Sequence, residues 1–155
     1  MKKYLILLLS ISLILWNPNS ASAASSTRSL VVETFEDGSY IETVIEEIET
    51  ASSYTTTYTK SGKKTSTYKN SSGDTLWSVS VTGTFTYDGS SSTCTNSTVS
   101  AASYDSTWKI ASSSASKSGA TAKATATAKQ YLAGTYIGSY TKTVTLTCSK
   151  SGTLS

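Results

Sequence analysis

Histidine is absent from this chain of 155 residues, and its absence removes much of the usual chemistry. Without it there is no Ser-His-Asp triad, no Cys-His pair and no histidine-ligated zinc site. Serine and lysine are so frequent that a Ser-Lys adjacency carries no signal. Glu33 and Glu42 are the carboxylates worth weighing. A hairpin turning at Asp37-Gly38 sets them face to face, near the ~5–5.5 Å spacing of a retaining glycosidase. An acidic face matched by lysines is the plainer account, and nothing around the pair implies a cleft. The Asp-Gly pairs at 37–38 and 88–89 offer oxygen ligands, but no calcium-loop pattern accompanies them. We therefore assign no catalytic residue, no metal and no cofactor.

The cysteines and the tyrosines remain. Cys94 and Cys148 are an even pair, which in an exported chain implies one disulfide. It would close a loop of about fifty residues and stabilise the fold by ~4 kcal/mol. Tyr54, Tyr58 and Tyr68 fall on one face of a proposed hairpin and form a candidate ligand-binding strip. Flat aromatic faces stack on sugar rings, although packing within a lean core would use the same tyrosines. Trp77 and Trp108 read as core anchors.

The elements that hold these residues read as strands. Thr75–Tyr87, TLWSVSVTGTFTY, alternates apolar with hydroxyl-bearing residues at a period of two. Asp37-Gly38 and Asp88-Gly89 mark two-residue hairpin loops. The first pairs Phe35 with Tyr40; the second sets Gly83 opposite Cys94, leaving room for a sulfur bridge. Lys60-Ser61-Gly62 and Lys117-Ser118-Gly119 mark three-residue loops. The first makes a hairpin of 53–59 with 63–69. The second pairs Trp108 with Ala128 and Ile110 with Ala126, so both share a face with Ala122 and Ala124. The alanine-rich run 120–131 could form a helix, but its strict alternation with threonine favours a strand. Residues 131–139 read as a loop around Gly134 and Gly138, with a short strand as the alternative, and 140–148 as a last strand.

Eight or nine short strands joined by turns imply an all-β fold, an antiparallel β-sandwich, loosely immunoglobulin-like, with a small β-barrel as the alternative. The order Cys94…Trp108…Cys148 also occurs in immunoglobulin domains, but a tyrosine corner is lacking, since Leu146 stands two before the second cysteine.

Lys2 and Lys3, the apolar run 4–16 and the Ala21-Ser22-Ala23 site together read as a signal peptide, residues 1–23, leaving a single domain over 24–155. In that domain 55 of 132 residues are Ser or Thr, so the strands must be coated with small hydroxyls around a thin core. Charge is uneven. Seven acids face one Arg28 in residues 24–50, whereas ten lysines face three aspartates in 51–155. The acidic hairpin is expected to lie beside lysine-bearing strands. A basic face for an anionic polymer is the sharper alternative. With a single arginine in that domain, nucleic acid is not an expected partner.

The segments DGSYIETVIEE (37–47), LWSVSVTGTFTYDGSSSTC (76–94) and YDSTWKIASSSASKSGATAKATA (104–126) resemble a group of uncharacterised small secreted proteins of Gram-positive bacteria. The resemblance implies export and a β-domain, and brings no activity, ligand or catalytic residue. The function to expect is a secreted, extracellular, non-enzymatic binding or adhesion module for a cell-surface polysaccharide or protein. A secreted inhibitor or antibacterial effector is the alternative.

Overall fold

The computed structural model describes residues 26–48 and 56–155. Among them are eight strands: β1 (Ser26–Thr34), β2 (Tyr40–Ile48), β3 (Tyr58–Lys69), β4 (Thr75–Tyr87), β5 (Ser92–Ser103), β6 (Trp108–Ser118), β7 (Thr121–Leu132) and β8 (Thr135–Thr147). They form two antiparallel sheets, β1-β2-β3-β4-β5 and β6-β7-β8. The sheets face one another as a sandwich, with β7 over β4 and β5, and β8 over β3 and β4. No barrel closes. Each sheet is a meander in chain order, so the likeness to immunoglobulin domains is one of layering.

The alternation in β4 does what its pattern requires. Trp77, Val79, Val81 and Phe85 point into the sandwich and are buried. Ala122, Ala124, Ala126 and Ala128 of β7 meet them, with Val144 and Leu146 of β8. Each buried Val, Leu or Phe contributes ~1.5–3 kcal/mol by leaving water. The alanines let the two backbones approach, so the run 120–131 is a strand because tertiary contacts outweigh alanine's helical preference.

Hydroxyls hold the remaining surfaces. Thr43–Ser66, Ser61–Thr84, Thr65–Ser80, Thr121–Thr147, Thr125–Thr143 and Thr127–Thr141 are directly opposed across strands at 2.8–3.2 Å. Each such pair adds a few tenths of a kcal/mol, ~0.2–1, while satisfying groups that a thin core cannot bury for nothing.

Several expected registers are corrected. Lys60-Ser61-Gly62 is not a turn. It lies within β3, opposite Glu47 and Gly83. The chain runs straight through because Ser61 and Gly62 pair with β2 on one side and β4 on the other, and Gly62 leaves room for the Leu154 side chain that lies over it. The Asp37-Gly38 loop spans Phe35 to Ser39, so Thr34 pairs with Tyr40. A bulge at Thr84/Phe85 sets Phe85 opposite Cys94 and Gly83 opposite Ser97. Gly83 therefore makes room for the Phe85 ring and Ala122, not for sulfur. The β6–β7 turn has two residues, Gly119 and Ala120, and Trp108 pairs with Gln130. The face shared by Trp108, Ile110 and the alanines survives, because the error in register is even. Residues 131–139 are mostly strand, with the turn at Ala133-Gly134.

Candidate functional site

One end of the sandwich gathers aromatic rings. β3 brings Tyr68, β4 brings Trp77, β6 begins with Trp108, β8 brings Tyr140, and the β1–β2 loop adds Phe35. Ring centroids lie 5.1 Å apart for Trp108–Tyr140, 5.6 Å for Tyr68–Trp108, 5.6 Å for Phe35–Tyr68 and 6.3 Å for Trp77–Trp108. The chain puts them together by register alone: Tyr68 is opposite Trp77, Trp108 opposite Gln130, and Tyr140 opposite Ala128. Trp77 and Trp108 are buried, as core anchors should be, and Tyr68 is half-buried. The Trp77 Nε1 is buried without a hydrogen-bond partner, a cost of ~1–3 kcal/mol.

Above these rings is a cleft of about 290 Å³, lined by Tyr68, Trp108 and Tyr140 together with Asp37, Asn70 and Gln130. Tyr140 is 44% exposed, so a ring edge or face is open to a ligand. Asp37 accepts from the Ser39 hydroxyl at 2.6 Å and the Ser39 N–H at 3.0 Å. Those bonds hold its carboxyl below the usual carboxylate range, so it is charged at neutral pH. Ser39 is in turn 2.9 Å from the Tyr68 hydroxyl, which fixes that ring. The Asn70 carbonyl accepts from Ser72 and Asp74 N–H groups and belongs to its own turn. The Gln130 amide has no hydrogen-bond partner among the described residues.

The same end carries Phe35, Tyr104, Leu132, Tyr136, Ile137 and Tyr140, six exposed large apolar residues. On the outer face of the small sheet Tyr131 and Tyr136 meet edge to face at 6.0 Å. Lys109 stands over Tyr131 and Lys129 over Tyr136, at 5.1 and 5.9 Å from the ring centres.

The expected tyrosine strip is not assembled. Tyr54 lies outside the described residues. Tyr58 and Tyr68 sit at opposite ends of β3, ten residues apart, or ~33 Å along a strand. Tyr58 stacks on Tyr87 at 5.5 Å. Only Tyr68 reaches the cleft. Tyr140 and Gln130 were missed because 131–139 reads locally as a loop, which hides where β8 begins. The usable signal was the turn at Gly119, but its two-residue form sets Trp108 opposite Gln130 only together with the one-residue bulge between Ile110 and Ser112.

Glu33 and Glu42 do not form a catalytic pair. The bulge between Val31 and Glu33 sets Glu33 opposite Ile41 on the inner face, while Glu42 points outward. Glu33 binds Lys142 at 2.8 Å and Glu42 binds Lys69 at 2.7 Å. Glu47–Lys60 and Glu46–Lys63 complete the match of the acidic hairpin to β3.

The expected disulfide is also corrected. Cys94 and Cys148 are both buried and unbonded. The Cys94 thiol donates to the Asn96 carbonyl at 3.1 Å and the Cys148 thiol to the Ser149 carbonyl at 3.4 Å. Burial pushes the Cys94 thiol up, and the neighbouring Cys148 adds to the effect. Little thiolate forms at Cys94, and burial closes off both sulfurs. They lie at the end of the sandwich remote from Trp108, unlike the immunoglobulin arrangement. Comparison with protein-family models, curated proteins and solved structures finds no match to this chain.

Proposed function

We propose that this chain is an exported, non-enzymatic carbohydrate-binding module whose sugar sits in the aromatic cleft. One observation carries the reading: Tyr68, Trp108 and Tyr140 share a cleft of about 290 Å³ with the carboxylate of Asp37 and the unpartnered amide of Gln130. A pyranose has an apolar C–H face and a hydroxyl rim. Rings take the face, and a planar carboxylate and amide take the rim, each hydroxyl both donating and accepting. The volume suits one or two sugar units. The hydroxyl-coated sheets serve as scaffold.

A glycan array with wild type, Tyr140→Ala, Gln130→Ala and Tyr58→Ala tests this. Tyr140 and Gln130 lie outside the buried core, so both variants should fold. Selective binding by wild type, reduced about tenfold by either cleft substitution and untouched by Tyr58→Ala, is the expected result. A blank array, or equal binding by all four, rejects the proposal. Capture of a protein by wild type but not Tyr140→Ala, with the array blank, would reassign the same end to protein recognition. Export is read from residues 1–23, and an amino terminus at Ala24 in the culture medium is the outcome that supports it.

A further inference from the structure

The two sheets are unequal in width, and the mismatch leaves a second site. No strand of the small sheet lies over β1 or β2. Where their inner face overhangs β8 there is a groove of about 510 Å³, lined by Arg28, Ile45, Lys64, Lys142, Thr143 and Val144. Three features define it.

The first is an open strand edge. Among the described residues β8 pairs with β7 on one side and with no strand on the other. That open side already takes backbone. Thr147 exchanges two hydrogen bonds with Ser155, at 2.9 and 3.0 Å, and Cys148 bridges Leu154 in antiparallel sense. Since Thr147 bonds outward, alternation directs the N–H and C=O of Thr145, Thr143 and Thr141 outward too.

The second is unbalanced charge. Among the described residues Lys64 has no ion-pair partner, and the Arg28 guanidinium donates to the Leu154 carbonyl alone, at 3.4 Å. Burial and the nearby Arg28 charge both press Lys64 toward losing its proton, so an anion there relieves two like charges at once.

The third is a stand-in. Lys142 reaches across the groove to Glu33 on β1, a carboxylate supplied by the chain itself.

We infer that this groove receives an extended acidic segment of another protein as a fourth strand of the small sheet, antiparallel to β8. Main-chain bonds to Thr141–Thr145 give affinity, as in other strand-addition sites. Inward side chains rest on Ile45 and Val144, and carboxylates meet Arg28 and Lys64. A glycan cannot use the ladder, so the ladder is what the experiment reads. The inference does not depend on the aromatic cleft.

The probe is a labelled, end-blocked peptide of about eight residues, within the range of strand lengths, with Glu and Val taking turns at every second, inward position and Thr between them. Fluorescence anisotropy should show saturable binding. Arg28→Gln/Lys64→Gln should weaken it about tenfold or more, and Glu33→Gln should tighten it several-fold by freeing Lys142. N-methylation of alternate peptide amides should abolish binding on one edge and spare it on the other. Tyr58→Ala, remote from both the groove and the cleft, should leave binding unchanged. A melting curve checks that each variant folds, and Lys64→Gln alone replaces the double variant if that one does not. No binding, equal binding of a Lys/Val peptide, or indifference to both N-methylation patterns overturns the inference. The last outcome, with displacement by an anionic polysaccharide, would make the groove a diffuse cationic patch.

Discussion

Asp88 shows how single side chains hold the turns of this chain. Its carboxylate accepts from the Ser91 N–H at 2.7 Å, the Ser90 N–H at 2.9 Å and both serine hydroxyls. These bonds, the backbone ones first, lower its pKa to about 2. The folded value lies below the ordinary 3.8, so the contribution is complete above that pH and is lost as pH falls through about 2. A carbon-detected NMR titration should give a midpoint near 2, and Asp88→Asn should differ from wild type in stability at pH 7 but hardly at the acid end. A midpoint near the ordinary value would mean that the loop bonds do not persist in solution. The two thiols supply a second residue-scale prediction. A thiol reagent should label neither cysteine in the native protein and both after denaturation; rapid native labelling would contradict their burial.

Strands and turns separate what could be read locally from what could not. Lys-Ser-Gly occurs at 60–62, 117–119 and 150–152. Gly119 and Gly152 adopt positive φ, at 52° and 83°, and turn the chain. Gly62 does not: it is paired with Glu47 on one side and Gly83 on the other, and Leu154 from the far end of the sequence lies over it. No tripeptide rule could foresee that. Which face each residue of β4, β7 and β8 presents was legible, since period-two alternation survives an even shift in pairing. Exact pairing was not, because bulges at Val31/Glu33, Thr84/Phe85 and Ile110/Ser112 each insert one residue. The close approach of β4 to β7 is testable at Gly83. A Cβ there would lie 2.6 Å from the Phe85 ring and 2.9 Å from the Ala122 Cβ, and both neighbours are fully buried. Gly83→Ala should therefore lose about 1–3 kcal/mol in urea unfolding by overpacking. A neutral or stabilising outcome would show that the layers are looser than described.

At the scale of the molecule, a thin core and an uneven pair of sheets set where ligands can go. Among the described residues, fifteen strongly buried apolar ones, four of them alanine, are enough only because hydroxyl pairs and four ion pairs carry the outer faces and the acidic hairpin. Large rings that the core cannot swallow collect at one end, beside Asp37 and Gln130. The overhang of β1 and β2 leaves the cationic groove. The aromatic character of the first site was legible in the composition; its location was not, because it depends on strand ends from both sheets meeting. The central claim is that a sugar is held at the aromatic end, and an NMR titration with the best glycan from the array tests it most directly. The account predicts that shifts concentrate on the Trp108 indole, the Gln130 amide and the rings of Tyr68 and Tyr140, saturating together. Shifts confined to the groove near Arg28 and Lys64, or at the far end around Tyr58, would contradict it.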